Sequence, residues 1–217
     1  MNNNMNESMS SAISFKSEWL GLIDIKETFK LQTEHVESHD PDSTLILGCE
    51  HPEVLSVGKS LWATDLSHYN SVFNSVDLTL RGGKLTLHNP GQLIIYPVLN
   101  LKSNQLTLRN YIQFILNISK KTFLDLGLNV TSNDKQNIGI FIDDKKIMSL
   151  GLHHHRGWVS HGLSINVNND LEKFKLFEVC GQCSTEVTSL KTMGLNHNPK
   201  DVFELWVKNF LNFYYLQ

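Results

Sequence analysis

The chain is poor in the features that mark many specialised protein classes. It holds three cysteines, Cys49, Cys180 and Cys183, among 217 residues. So small and odd a count argues against the disulfide framework of a secreted domain. Five prolines and thirteen glycines are ordinary numbers, which excludes collagen-like and low-complexity chains. Neither sign of charge dominates: 19 Lys and Arg face 22 Asp and Glu, a formal net charge of −3. No basic field therefore points to nucleic acid. Apolar runs are short, as at Leu93-Ile94-Ile95, against the ~20 residues of a membrane span. No charged and then apolar signal segment opens the chain. These absences predict a cytoplasmic protein with neither a nucleic-acid nor a membrane partner.

What is present suits one domain: 41% of positions are hydrophobic, enough to bury a core. Residues 1–12, mostly Asn, Ser, Met and Glu, are expected to form a disordered polar tail, leaving 13–217 as the domain. From about Leu22, Ile25, Phe29 and Val36 recur at helical spacing until Asp40-Pro41-Asp42 breaks the pattern. Residues 44–47, 54–57, 77–80, 84–87 and 93–98 read as short strands. The clearest helix runs from Thr107 to about Leu126, with Thr107 as N-cap and Gly127 to end it. Residues 138–150 form a hairpin about Asp143-Asp144, and 159–167 are a further strand region. A short helix near 171–177 and a last one opened by Asn198-Pro199 follow. Short strands joined by tight turns, with three or four helices, predict an α+β fold: a mixed sheet with helices packed on it.

Four segments carry candidate chemistry. Arg81-Gly82-Gly83-Lys84-Leu85-Thr86-Leu87-His88 places two flexible glycines after a cation, so its backbone N–H groups can meet a carbonyl or oxyanion, or simply form a hairpin turn. It is neither a Walker loop nor a dinucleotide fingerprint. Lys145 and Lys146 follow the Asp143-Asp144 turn; if Ile147 faces the core, alternation puts Lys146 with Met148 on the opposite face. His153, His154 and His155 cannot converge on one metal from a strand, and no metal site is predicted. His161 precedes a glycine in an apolar strand and is as readily a hydrogen-bonded pocket residue as a catalytic one. Cys180-Gly181-Gln182-Cys183 admits a zinc half-site, a redox dithiol, a lone nucleophile at Cys180 or an inert thiol.

In this order the segments resemble the bacterial octanoyltransferases of lipoate biosynthesis, within the biotin/lipoate protein ligase superfamily. The matching residues are Arg81, Gly82, Gly83, Thr86, His88, Pro90, Gly91, Gln92, Tyr96 and Pro97, then Lys146, Ile147, Ser149, Leu150 and Gly151. His161, Gly162, Leu163, Asn166 and Val167 follow, and finally Cys180 and Gly181. The resemblance implies the catalytic-domain fold of the biotin/lipoyl protein ligases over 13–217. It implies Cys180 as acyl-thioester nucleophile and Lys146 as its partner, with no cofactor. Residues Arg81 to His88, Ser149 to Gly151 and His161 to Leu163 are implied to bind substrate. The implied partners are octanoyl acyl carrier protein, lipoyl domains of 2-oxoacid dehydrogenase complexes and the glycine cleavage H protein. Two departures stand out. Asn89 replaces a glycine and is expected to take its left-handed turn while adding a side chain to the pocket lip. Val179 replaces the proline before the cysteine. An ATP-dependent lipoate–protein ligase and an inactive domain-binding relative remain alternatives.

Overall fold

The computed structural model describes residues 13–63, 65–73, 75–135, 137–175 and 186–215. Its main sheet has seven strands: β1 (Ser14–Leu22), β2 (Ser43–Glu50), β6 (Gln92–Asn100), β7 (Thr131–Asn133), β8 (Gly139–Ile142), β9 (Lys145–His155) and β10 (Trp158–Asn166). They lie in the order β1-β2-β6-β10-β9-β8-β7. Only β1 and β2 pair in parallel; the rest of this sheet is antiparallel. A second, three-stranded sheet, β4-β3-β5, is built from β3 (Val54–Val57), β4 (Val76–Leu78) and β5 (Leu85–His88).

Alternation along the strands sorts the core into two layers. Leu45, Leu47 and Cys49 of β2 and Ile94, Tyr96 and Val98 of β6 face α1 (Ile25–Glu37), against Phe29, Leu31 and Val36. The opposite residues, Ile46, Leu93, Ile95 and Leu99, meet α3 (Leu108–Asp125) and α4 (Pro199–Tyr215) through Tyr111, Ile115, Trp206 and Phe210. Each such side chain taken from water contributes about 2 kcal/mol. The one polar atom of Trp206 is satisfied, its Nε1 donating to Ser119 Oγ at 2.9 Å. The short helix α2 (Ser67–Val72) packs Tyr69, with Phe73 beyond it, on Leu55 and Leu87 of the small sheet.

The helix ends follow the local chemistry of the sequence. Thr107 Oγ1 accepts from the Asn110 amide at 3.1 Å, and Gly127 takes φ 82° past the other end. Asn198 caps α4 through the Asp201 amide at 2.9 Å, with Pro199 in the first turn. Asp143 and Asp144 both adopt left-handed φ, 46° and 63°, the backbone of a two-residue hairpin turn. Near 171–177 the described part is a 3-10 turn, Glu172–Lys175. No helix among the described residues is long and apolar enough to cross a membrane.

Candidate active site

A cavity of about 920 Å³ lies between the main sheet and the small sheet, lined by Ile25 and Phe29 of α1 and by Leu108 and Ile112 of α3. That falls within the range of small-molecule sites. Its wall draws on every predicted segment the structure describes. Among its residues are Arg81 and His88 of the glycine loop, Lys146, Ser149, Gly151 and His161. The register explains the meeting of two of these segments. Gly162 pairs Gly151, Leu163 pairs Leu150 and Ser164 pairs Ser149 across β10 and β9. The two stretches form neighbouring rungs of one ladder.

Lys146 is buried, and here the structure corrects the alternation read from sequence. The β8–β9 register shifts between Ile140 and Phe141, leaving Ile147 as the extra residue of a bulge. Ile147 and Met148 consequently both enter the core, while Lys146 enters the cavity wall. Its Nζ donates to Asn137 Oδ1 at 2.5 Å and lies 5.7 Å from the Phe141 ring centre. Gly139 makes room: a Cβ there would stand 2.5 Å from Lys146 Cε and 2.2 Å from the Met148 carbonyl oxygen. No carboxylate pairs with the ammonium among the described residues. Burial alone pulls its pKa down to about 8. The Lys146 amide donates to Glu186 O at 2.7 Å, and the Thr188 amide donates to Lys146 O at 3.0 Å. A short parallel bridge to Val187 therefore fixes this lysine from its other side.

The glycine loop is held by its own arginine. Arg81 is 9% exposed, and four donations occupy its guanidinium: Nε to Ser56 Oγ at 3.0 Å, Nη1 to Gly82 O at 3.1 Å, and Nη2 to Ser56 O at 2.5 Å and Lys84 O at 2.9 Å. Burial lowers its pKa to about 10. The Gly82 amide donates to Leu152 O at 2.9 Å, so it is not open to an oxyanion. Gly82, Gly83, Lys84, Leu85 and Thr86 line the cavity beside Arg81, whereas Leu87 turns into the small-sheet core. The expectation for Asn89 is also corrected. The left-handed residue of this turn is Gly91, at φ 88°. Asn89 lies off the cavity lip and ties the turn to the chain after β10. Its Nδ2 donates to Asp170 O at 2.8 Å and its Oδ1 accepts from Asn169 Nδ2 at 3.0 Å.

His161 takes φ 60° within a strand. Its neighbours Val159, Leu163 and Ile165 face α3 and α4, and the left-handed backbone turns the imidazole to the other side, where it stacks on Phe29 at 4.7 Å. The His161 amide donates to Gln32 Oε1 at 2.8 Å. Burial lowers the imidazole pKa to about 3, with His153 a smaller cause, so the ring is neutral at physiological pH. Opposite Pro97, which offers no N–H, the β6–β10 pairing lapses over residues 160–162. Gly162 is required there, since a Cβ would meet the Ile95 carbonyl oxygen at 1.9 Å. His153 and His155 share one face, stacked at 6.1 Å, while His154 borders the cavity. No group of three metal-ligating side chains occurs among the described residues.

Val179, Cys180, Gly181 and Cys183 lie outside the described residues. Cys49, the described cysteine, is wholly buried, with its pKa pushed up by desolvation. Several wall residues carry no sequence signal of their own. Ile25 and Phe29 look like ordinary core positions of an amphipathic helix, and Asn137 and Ser56 look like loop and strand polar residues.

The lipoyl protein ligase A/B catalytic domain family matches residues 24–211. An octanoyltransferase of Shewanella frigidimarina is 31% identical over 193 residues, 85% of this chain and 83% of that protein. An octanoyltransferase of Orientia tsutsugamushi is 34% identical over 190 residues, 81% and 88% of the two chains. Among solved structures, the bipartite lipoate protein ligase system of Thermoplasma acidophilum superposes with a TM-score of 0.74. That match has 16% identity and covers 94% of this chain and 84% of the other.

Proposed function

Because this chain belongs to the lipoyl protein ligase A/B catalytic domain family, we propose that it transfers an octanoyl group to a lysine of lipoyl domains. Octanoyl acyl carrier protein is the donor in this reading, the 2-oxoacid dehydrogenase complexes and the glycine cleavage H protein supply acceptor domains, and the cytoplasm is the setting. The observation that carries it is Lys146. A buried amine with no carboxylate partner among the described residues, and a pKa near 8, borders a cavity with apolar walls at Ile94, Leu108, Ile112 and Leu163. Such an amine is charged at rest, yet releases its proton at little cost.

Cys180 is the nucleophile in this reading, with Lys146 favouring its thiolate. The thiolate attacks the thioester carbonyl of the donor, the carbon–sulfur bond to the carrier arm breaks, and that sulfur leaves with the proton taken from Cys180. In the second half the acceptor amine attacks the acyl-cysteine. The new carbon–nitrogen bond replaces the carbon–sulfur bond, and the amine's proton passes through Lys146 to the departing Cys180 sulfur. Thioester to amide is downhill and requires no nucleotide. The amides of Gly83 and Lys84, which have no hydrogen-bond partner among the described residues, are the loop donors proposed for the tetrahedral oxygen anion. Eight carbons suit the apolar walls, at about 0.8 kcal/mol for each buried methylene.

Intact mass after mixing with octanoyl acyl carrier protein tests the reading. An octanoyl adduct should form without ATP, be cleaved by hydroxylamine, and be absent from Cys180→Ala. Retention of the adduct in that variant with loss in Cys183→Ala, or a requirement for ATP, overturns it. Lys146→Ala should keep the fold and slow alkylation of Cys180 at neutral pH.

A further inference from the structure

A continuous line of uncharged hydrogen-bonding side chains runs from the cavity wall at Ser56 and His88, beside the Arg81 loop, to the segment that braces Lys146. Its direction follows from which atoms can donate. Thr188 O is a carbonyl and only accepts, so Asn166 Nδ2 is the donor at 3.0 Å. Asn166 Oδ1 then accepts from Gln92 Nε2 at 2.9 Å and from Asn169 Nδ2 at 3.3 Å. That orientation leaves Gln92 Oε1 as an acceptor, 2.7 Å from His88 Nδ1, which must carry the hydrogen. His88 Nε2 is thus the free lone pair of a neutral ring. It faces Ser56 Oγ at 3.4 Å, whose other side accepts from Arg81 Nε at 3.0 Å.

Every side chain on this path is buried. Protonating His88 at Nε2 would set an imidazolium beside a buried guanidinium, with no anion among the described residues to offset it. Desolvation first and then His51 hold its pKa at about 3, against the opposing hydrogen bond of Gln92, with Arg81 a still smaller lowering cause. At the other end, the carbonyl gripped by Asn166 belongs to Thr188, whose amide donates to Lys146 O. Leu190 N also donates to Asn166 O at 3.1 Å, so Asn166 holds residues 188–190 by both side chain and backbone.

We infer that Gln92 and Asn166 are positioning residues, which use His88 as a neutral relay to seat residues 186–188 against Lys146 and so keep that amine away from water. His88 then serves as a fixed strut rather than an acid or base. The bearing of this strut on acyl transfer rests on the function proposed above; its bearing on Lys146 does not. Asn137 is the hydrogen-bond partner of the amine, Lys135 borders the same cavity, and Lys145 pairs with Glu186 at 3.3 Å on an exposed side. Among the described residues, none of these is a buried counter-charge to the amine.

Two measurements that need no acyl transfer test the inference on the full-length protein. The first follows Lys146 by carbon-13 NMR of dimethylated lysines, its signal identified with Lys146→Arg. In Asn166→Ala its titration should move upward by about one pH unit, a roughly tenfold change in the neutral fraction near pH 7. Asn209→Ala is the comparison for stability loss alone. Asn209 is equally buried, between α4 and α3 on the opposite face, donating to Thr122 Oγ1 at 3.2 Å and Asp125 Oδ2 at 3.0 Å. It should lower the melting temperature and leave the Lys146 titration in place. Equal movement in both variants, or in neither, overturns the inference. The second measurement, nitrogen-15 NMR of the unsubstituted chain, stands even if Asn166→Ala fails to fold. His88 should remain the neutral Nδ1–H tautomer from pH 5 to pH 8, and a His88 that titrates within that range removes the relay. If both measurements succeed while the mass experiment fails, the strut survives and the transferase reading does not.

Discussion

A lysine held in a cavity wall without a carboxylate destabilises the fold whenever it is charged. Lys146 loses its proton near pH 8 in the folded chain, against 10.5 when exposed. Between those values the unfolded chain holds a proton that the folded chain has released, so stability rises with pH across the window. At pH 7 both states are protonated and the burial cost is present in full. Lys146→Met should therefore raise stability at pH 7 by roughly 1–3 kcal/mol while removing transfer, with the gain shrinking at pH 9.5. Urea unfolding at the two pH values checks this, and a Met variant less stable at pH 7 refutes it. Residues of this kind resist reading from sequence. A lysine beside Asp143-Asp144 has the local look of a solvated turn, and only the bulge at Ile147 turns it inward. Asn89 misleads similarly: its tolerance of left-handed backbone is unused, because its amide finds partners 80 residues away.

Secondary structure was more legible, and unevenly so. Helices α1, α3 and α4 show their apolar spacing and their caps at Thr107 and Asn198, because both signals are local. The hairpin at Asp143-Asp144 is likewise written into two residues. Strand β1 carries no such signal, since as an edge strand it leaves every one of residues 14–22 at least partly exposed and shows no clean alternation. Strand β7, Thr131–Asn133, is fully exposed and gives no apolar signal at all. The turning of His161 out of its strand depends on Pro97 of a neighbouring strand, a pairing no local pattern reveals. Gly162→Ala tests that junction. Its methyl would overlap the Ile95 carbonyl oxygen, so β10 must shift from β6. A loss of about 2–4 kcal/mol in urea unfolding is expected, and a loss under 0.5 kcal/mol would show that the strands are not so closely approached there.

For the molecule as a whole, the buried imidazoles set the response to acid. His88 and His161 each hold a pKa near 3 in the fold, against 6.5 when exposed. From 6.5 downward the unfolded chain binds protons that the folded chain refuses, so their contribution, complete above pH 6.5, is lost progressively on acidification. At pH 5 each should have withdrawn on the order of 2 kcal/mol relative to pH 7.5. Urea midpoints at those pH values report the sum, and an unchanged midpoint contradicts the burial of both rings. Topology was the part of this whole least open to reading: the α+β class followed from the mix of elements, whereas the order β1-β2-β6-β10-β9-β8-β7 rests on contacts between distant segments. The strut beside the cavity has one more consequence. It consists of buried amides, a neutral ring and one buried guanidinium bound to oxygens that carry no formal charge, so salt screening acts on it weakly. Changes in ionic strength will alter how quickly charged protein partners arrive at the cavity mouth, and will leave unchanged the shape they find inside.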